Sequence, residues 1–491
     1  MKKQVYQTLL CGVILLSIFP NYAQSTLQNA IPGLQIASGY YDPDLKAGLP
    51  FILRSTDNGQ TWMVAHHITS PSDMQQGLLF GSNCIDQTCI TYGQYLHNDN
   101  FFSPLLLTSS DSGNTWVSAQ KIIGLPPYND VMPTSLVHSK NTYITVGGAD
   151  YQFGNNYQDL PIILTSDNAG QFWTTKSILH PPFNFQSGSL NVVNCTGNIC
   201  SAAGYWSTDK FGDSRHNSYP FFVLSQDNGR SWSYVSKIFN LPPNLTGAEI
   251  IDMNCLNSIC VAAGLQYDGA DKSSRPLLLT SFNLGASWNA VQSISGPVSH
   301  LINGMLGNIN CTTRNLCLAT GIYGKHQALI LSSHDHGQSW SIVENIIGLS
   351  PHLKNRVFFN STCEGKVCLI SGSADATPLI IRSTDNGQSW SVIQNIDLPP
   401  HLKRGWPISI NCTKGICTAS GLYELEDGIS HILLLTSQDA GQTWSYVSAF
   451  TSFYGEIFSI SGSTNWQSLL PHSKKFTLYG GYKNHVYEAN E

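Results

Sequence analysis

The sequence predicts an all-β protein assembled from repeated four-stranded antiparallel sheets, and three observations carry that prediction. A short turn motif recurs eight times, cysteines recur in close pairs ahead of most of these turns, and the Ala/Leu/Glu/Lys stretches that favour helices are missing. Of 491 residues, 42% are hydrophobic and only 11% charged, which provides for a large core and excludes disorder as the main state. The formal charge of −6 excludes the basic surface that sequence-independent nucleic-acid binding needs.

The chain opens with Lys2 and Lys3, an apolar run from Leu9 to Phe19, and Asn21-Tyr22-Ala23 ahead of Gln24-Ser25. This pattern predicts a signal peptide over residues 1–23, cleaved after Ala23, and a mature protein that is secreted or periplasmic. The run is too short to cross ~30 Å of hydrocarbon, so no membrane span is expected in the mature chain. Residues 24–491 are expected to form a single domain, because no linker or composition shift divides them.

The turn motif is S-x-D-x-G-x-[TS]-W. Its clearest copy runs from Ser55 to Trp62, and further copies end at Trp116, Trp173, Trp232, Trp288, Trp340, Trp390 and Trp444, 50 to 59 residues apart. The acidic position holds Asp57, Asp111, Asn168, Asp227, Asn283, Asp335, Asp385 and Asp439. An Asp or Asn oxygen accepts backbone N–H bonds across a tight turn, and the Gly takes a positive φ without a Cβ clash. Apolar runs such as Pro104 to Thr108 and Ile432 to Thr436 precede the motif and a strand begins at its Trp, so the turn joins two antiparallel strands. Eight equivalent side chains spread around a fold cannot meet in one active site, and their expected role is structural.

These motifs resemble Asp boxes, or BNR repeats, of the sialidase-like β-propeller superfamily, and the resemblance spans nearly the whole mature chain. It implies an eight-bladed β-propeller with one box per blade, seven and nine blades being the neighbouring counts. It also implies that the box lies between the third and fourth strands of a blade, away from any catalytic pocket.

Cysteines pair as Cys84/Cys89, Cys195/Cys200, Cys255/Cys260, Cys311/Cys317, Cys363/Cys368 and Cys412/Cys417, which accounts for all twelve outside the leader. Each pair is flanked by strand-like residues, and an exported chain predicts hairpin disulfides across a tight turn. Metal knuckles favour C-x2-C pairs gathered in fours, and His66-His67 and His334 with His336 lack such partners, so no metal is expected. No dinucleotide, phosphate-loop or nucleophile-elbow motif is present, and no cofactor is expected. The third unit has His138 and Tyr143 in place of the cysteines.

With strands named A to D, the Cys turn joins A to B, a variable loop joins B to C, and the box joins C to D. The first unit lacks an A strand, and the segment from Ile457 to Trp466 is expected to supply it and close the ring. The strand-like run Phe476 to Tyr482 has no place in this scheme.

Strand alternation puts the Cys hairpins and boxes at one end of the blades and the B–C and D–A loops at the other. Function is expected at this loop end. The D–A loops carry Pro-Pro elements such as Leu125-Pro126-Pro127 and Leu241-Pro242-Pro243, and the B–C loops Tyr151 to Pro161 and Tyr205 to Pro220 are rich in aromatic and polar residues. Trp206 and Trp406, with Arg404, are the candidate ligand contacts, since a flat indole stacks on a sugar ring. Sialidases of the family clamp a carboxylate with three arginines and pair a Tyr nucleophile with Glu. By that resemblance Arg215, Arg275, Arg356 and Arg404 are the clamp candidates, and Tyr205 or Tyr423 with Glu249 or Glu424 the catalytic ones. The family's F/Y-R-I-P motif is absent, Pro50-Phe51-Ile52-Leu53-Arg54 not matching it. The expected function is binding of a glycan or cell-surface protein through the loop end, the alternative being sialidase-like hydrolysis of sialoglycans.

Overall fold

The computed structural model of the protein describes residues 33–460, apart from 44–46, 99–100, 126–128, 154–155, 210–216, 270–272, 293, 297–300, 326 and 351–354. The predicted leader, Pro126-Pro127, Arg215, Trp466 and the run Phe476 to Tyr482 lie outside the described residues.

Eight sheets form an eight-bladed β-propeller. The fifth blade shows the pattern, with strand A at Leu245–Leu256, B at Ile259–Asp268, C at Ser274–Ser281 and D at Trp288–Ala290, each antiparallel to the one before. Strand C reads as a continuous apolar run because neighbouring blades cover both its faces, and Leu277, Leu278 and Leu279 are all buried.

The six expected disulfides close the A–B hairpins, joining Cys84 to Cys89, Cys195 to Cys200, Cys255 to Cys260, Cys311 to Cys317, Cys363 to Cys368 and Cys412 to Cys417. Their setting differs from a staple confined to the turn. The first cysteine of each pair is half-buried, but the second, Cys89, Cys200, Cys260, Cys317, Cys368 or Cys417, is at most 1% exposed. The reason is its place on strand B, an inner strand of the sheet, where it packs in one cluster with the box tryptophan of its own blade. Cys89 lies with Trp116, Cys200 with Trp232, Cys260 with Trp288, Cys317 with Trp340, Cys368 with Trp390 and Cys417 with Trp444. These six are therefore core residues as well as bridge partners, and each disulfide ties the hairpin to the hydrophobic interior. In the third blade the His138 and Tyr143 rings pack instead, their centroids 4.5 Å apart.

Blades were expected to have four strands, but six of them have a fifth, parallel to strand D and drawn from the connection that leaves the preceding blade. The cause is an isoleucine that follows seven of the eight box tryptophans and pairs with the next blade's Trp: Ile68 with Trp116, Ile178 with Trp232, Ile238 with Trp288 and Ile346 with Trp390 are examples. Each rim connection therefore latches two blades together. All eight box tryptophans beneath it are buried.

The ring closes where strand A of the first blade, Gly455–Ile460, pairs with strand B, Gln35–Tyr41. That strand arrives earlier than the expected segment from Ile457 to Trp466, because the usual proline-bearing loop gives way to a short 3₁₀ turn, Ser448–Phe450. Phe450 packs in one cluster with Trp62, occupying the position that isoleucine takes elsewhere.

Strand A carries a β-bulge in every blade, at Ile251 in the fifth, opposite a glycine of strand B. A Cβ on Gly264 would lie 2.0 Å from the Glu249 carbonyl oxygen, so only glycine allows the two strands to approach. The residue after the bulge reaches the next blade: Asp252 accepts from the Ile309 N–H at 2.9 Å, Asn308 from Ser361 at 3.2 Å, Asn360 from Ile410 at 3.3 Å, and Ser409 from Ile460 at 3.3 Å. The last of these bonds ties the closing strand into the ring.

Candidate functional site

The box end is self-contained. At Asp385 one carboxylate oxygen accepts from the Ser383 hydroxyl at 2.8 Å and the Ser389 N–H at 2.9 Å, the other accepts from the Ser389 hydroxyl, and the Trp390 indole donates to Gly387 at 3.1 Å. Asp57, Asp111, Asp227, Asp335 and Asp439 are bound in the same way. Asn168 accepts from the Phe172 N–H at 3.0 Å and Asn283 from the Ser287 N–H at 2.9 Å, so the amide preserves the turn. The Trp288 indole N–H has no partner, and its ring stacks on Phe222 at 4.2 Å.

At the loop end, acidic residues gather at two junctions between blades. Asp150 and Asp159 face each other across strands B and C of the third blade, and Tyr205 of the fourth blade donates to Asp159 at 2.8 Å. Burial raises Asp159 well above the usual carboxylate range, and the bond and charge of Asp150 raise it further. Burial first, then the charges of Asp159 and Glu249, push the Tyr205 phenol far up. Glu249, also raised by burial, accepts from the Asn191 amide at 2.9 Å.

The junction of the eighth and first blades carries acids at related strand positions, with different partners. Glu424 and Ser430 are paired as Asp150 and Asp159 are, Tyr40 follows the strand B glycine as Tyr205 does, and Glu456 holds the strand A place that Glu249 holds in the fifth blade. Glu456 is 1% exposed, and burial pushes it up to about 8 against the bonds from Tyr40 and Ser430. Arg404 lies 3.6 Å from Glu424.

The other candidates disperse. Arg275 pairs with Asp268 at 3.2 Å in the fifth blade, and Arg356 of the seventh donates to Gln327 of the sixth at 3.3 Å. Tyr423 is buried, with its hydroxyl 3.1 Å from that of Tyr446 and its ring on His431. Trp406 is half-buried and packs beside Val357 and Phe359. Trp206 lies between Phe185, 6.4 Å away, and Tyr219, 4.9 Å away, while Phe183 in the adjoining loop is 90% exposed. Sequence reasoning missed Asp150, Asp159 and Glu456. Their signal is positional: each stands on a strand facing a blade junction, which only the bulge register discloses. Among the described residues, no group of three or more His, Cys, Asp or Glu is placed to hold a metal, and no helix is long and apolar enough to cross a membrane.

No protein-family model matches the chain, and a search of curated proteins finds no match. Among solved structures, the chain is similar to YCF48 bound to a D1 peptide, at 15% identity over 72% of this chain and 90% of that one, with a TM-score of 0.40. A GH74 xyloglucanase from Xanthomonas campestris is 14% identical over 85% of this chain and 68% of its own, with a TM-score of 0.43. Trypanosoma rangeli sialidase in complex with sialic acid is 12% identical over 72% of this chain and 57% of its own, with a TM-score of 0.37.

Proposed function

We propose that the protein is an exported Asp-box propeller that binds a glycan or cell-surface protein through its loop end. The observation that carries this reading is the aromatic ledge of the fourth blade, where Phe185 stacks on Trp206, Tyr219 lies tilted against the indole and Tyr219 remains 37% exposed. A packed, partly open aromatic face offers large contact area with little side-chain entropy to lose. Six disulfides fit the oxidising compartment that the predicted leader leads to. The test is a glycan array and cell-surface binding assay with wild type, Trp206→Ala and Tyr219→Ala. Binding by wild type that falls about tenfold in both variants, with melting shifted little, supports the reading; binding equal in all three overturns it.

The paired acids favour one second reading, a sialidase-like hydrolase in which Asp159, its proton affinity raised by burial and by Asp150, acts as a general acid. Turnover of a fluorogenic sialoside that Asp159→Asn abolishes would establish it in place of the first.

A further inference from the structure

The loop-end junction between the sixth and seventh blades departs on both sides from the pattern of the other seven. Three residues before the bulge of strand A, the other blades carry Gly77, Val131, Gly188, Ala248, Gly304, Gly405 or Gly455, and the seventh carries Arg356. At the matching register, strand C of the preceding blade carries a proline in six blades and Ile432 in the eighth, and at Gly77, Gly304 and Gly405 that proline leaves little room for a Cβ. A Cβ on Gly304 would lie 2.8 Å from Pro276, and one on Gly405 2.8 Å from Pro378. In the sixth blade that position holds Ala328. A long cationic side chain and a truncated neighbour thus occur together, and a cavity of about 210 Å³ opens at that place.

The cavity is lined by Ile342, Leu349 and Phe358 on its apolar side, and by Gln327, Glu344 and Arg356 on its polar side. The Arg356 Nε is buried without a hydrogen-bond partner, while its Nη2 makes one bond, 3.3 Å long, to Gln327. Arg275 and Arg404 each face a carboxylate, and Arg54 and Arg382 donate their Nε to backbone carbonyls. Glu344, exposed at the rim, forms no ion pair with Arg356. A buried guanidinium N–H left unmatched is costly, and a carboxylate meets Nε and Nη with two parallel bonds.

We propose that this inter-blade cleft binds a residue-sized apolar group bearing a carboxylate. The volume lies below the ~300–1,000 Å³ of cavities that enclose whole drug-sized ligands, so one branched or aromatic group fills it. Arg356 takes the carboxylate, and the walls formed by Leu349 and Phe358 take the apolar body. The site lies apart from the aromatic ledge of the fourth blade and does not depend on it. Its ligand is either a free amphipathic carboxylate or the C-terminal residue of a polypeptide.

Ligand-observed NMR and titration calorimetry on the whole chain test the site with N-acetyl-leucine, N-acetyl-leucinamide and the tripeptide Gly-Gly-Leu. The acid binds and the amide does not. Arg356→Gly, which restores the residue of the sister junctions, weakens the acid about tenfold or more. Ala328→Pro does the same by filling the cleft, and six sister strands already tolerate proline there, so it reads out the site even if the arginine variant folds poorly. Tighter binding of Gly-Gly-Leu than of N-acetyl-leucine supports the site with a chain end as its ligand, and weaker binding supports it with a free acid. Equal binding of acid and amide, no binding of either, or undiminished binding by Arg356→Gly and Ala328→Pro overturns the proposal.

Discussion

The two ends of this propeller use the same residue type in opposite ways. At the box end, Asp385 is held down to about 2, chiefly by the Ser389 hydroxyl and then, against burial, by the N–H and hydroxyl groups of its own turn. At the loop end, burial pushes Glu456 up to about 8, and the bonds from Tyr40 and Ser430 do not offset it. One carboxylate sits in a nest of donors fixed by eight consecutive residues, whereas the other depends on single donors supplied by two blades. Donors close in sequence make an acid into scaffold, and their scarcity leaves it poised to take up a proton.

The largest effect expected from this contrast is at the box end. Trp232 is fully buried, and its indole donates to Gly229 at 3.0 Å. Trp232→Ala removes the cover of the hairpin, the packing around Cys200, and the surface against which Ile178 of the rim connection is paired. It should cost about 3 to 5 kcal/mol in denaturant unfolding. A loss under ~1 kcal/mol would show that the box does not anchor its blade.

Next in size is the dependence on pH, which should carry opposite signs at the two ends. Box aspartates have lowered values, so their contribution is present above the unfolded carboxylate value near 4 and is lost as pH falls toward about 2. Glu456 has a raised value, so the folded state holds a proton that the unfolded state releases. Its contribution is full below the unfolded value of about 4.5 and is lost as pH rises through about 8. Melting temperature should therefore fall between pH 5 and 8 in wild type, and fall less in Glu456→Gln. An identical slope in the two proteins would show that Glu456 does not titrate in that window.

The blade count, the hairpin disulfides and the segregation of the turns to one end were legible because each is written in contiguous residues. The box, the cysteine pair and the strand between them repeat within a few positions, and local chemistry determines their form. Pairing was legible where burial was not: Cys84 and Cys89 look alike in sequence, and only the packing of strand B beneath Trp116 makes the second a core residue. The isoleucine after seven of the box tryptophans was equally periodic, yet its partner is the Trp of the next blade, so the spacing alone does not announce a fifth strand. Closure was legible in outline but its register was not, because Phe450 and the 3₁₀ turn replace the loop from which that register was counted. The acids were the least legible. Tyr205 and Glu249 stand out in the sequence, but Asp159 is brought to Tyr205 by the packing of two blades, across 46 residues.

The smallest effect separates turn from ligand surface. Asp227 accepts from the Ser231 N–H at 2.9 Å, the Ser231 hydroxyl at 2.6 Å and the Ser225 hydroxyl at 2.8 Å. From the motif alone, Asp227→Ala should strand a buried donor, yet Ser231 is exposed, and water can take up its N–H and hydroxyl. The buried Ser225 hydroxyl, however, loses its acceptor, so the cost should be about 1 to 3 kcal/mol. Ser225, buried beneath the turn, keeps its bond from the Gly229 N–H at 2.8 Å, so the chain reversal survives the substitution. Since the turn lies at the end opposite Trp206, any glycan affinity should be unchanged in the folded fraction. Thermal melting measured beside glycan binding checks both halves: a variant that melts like wild type but no longer binds would place the ligand surface at the box end and reverse the assignment of the two faces.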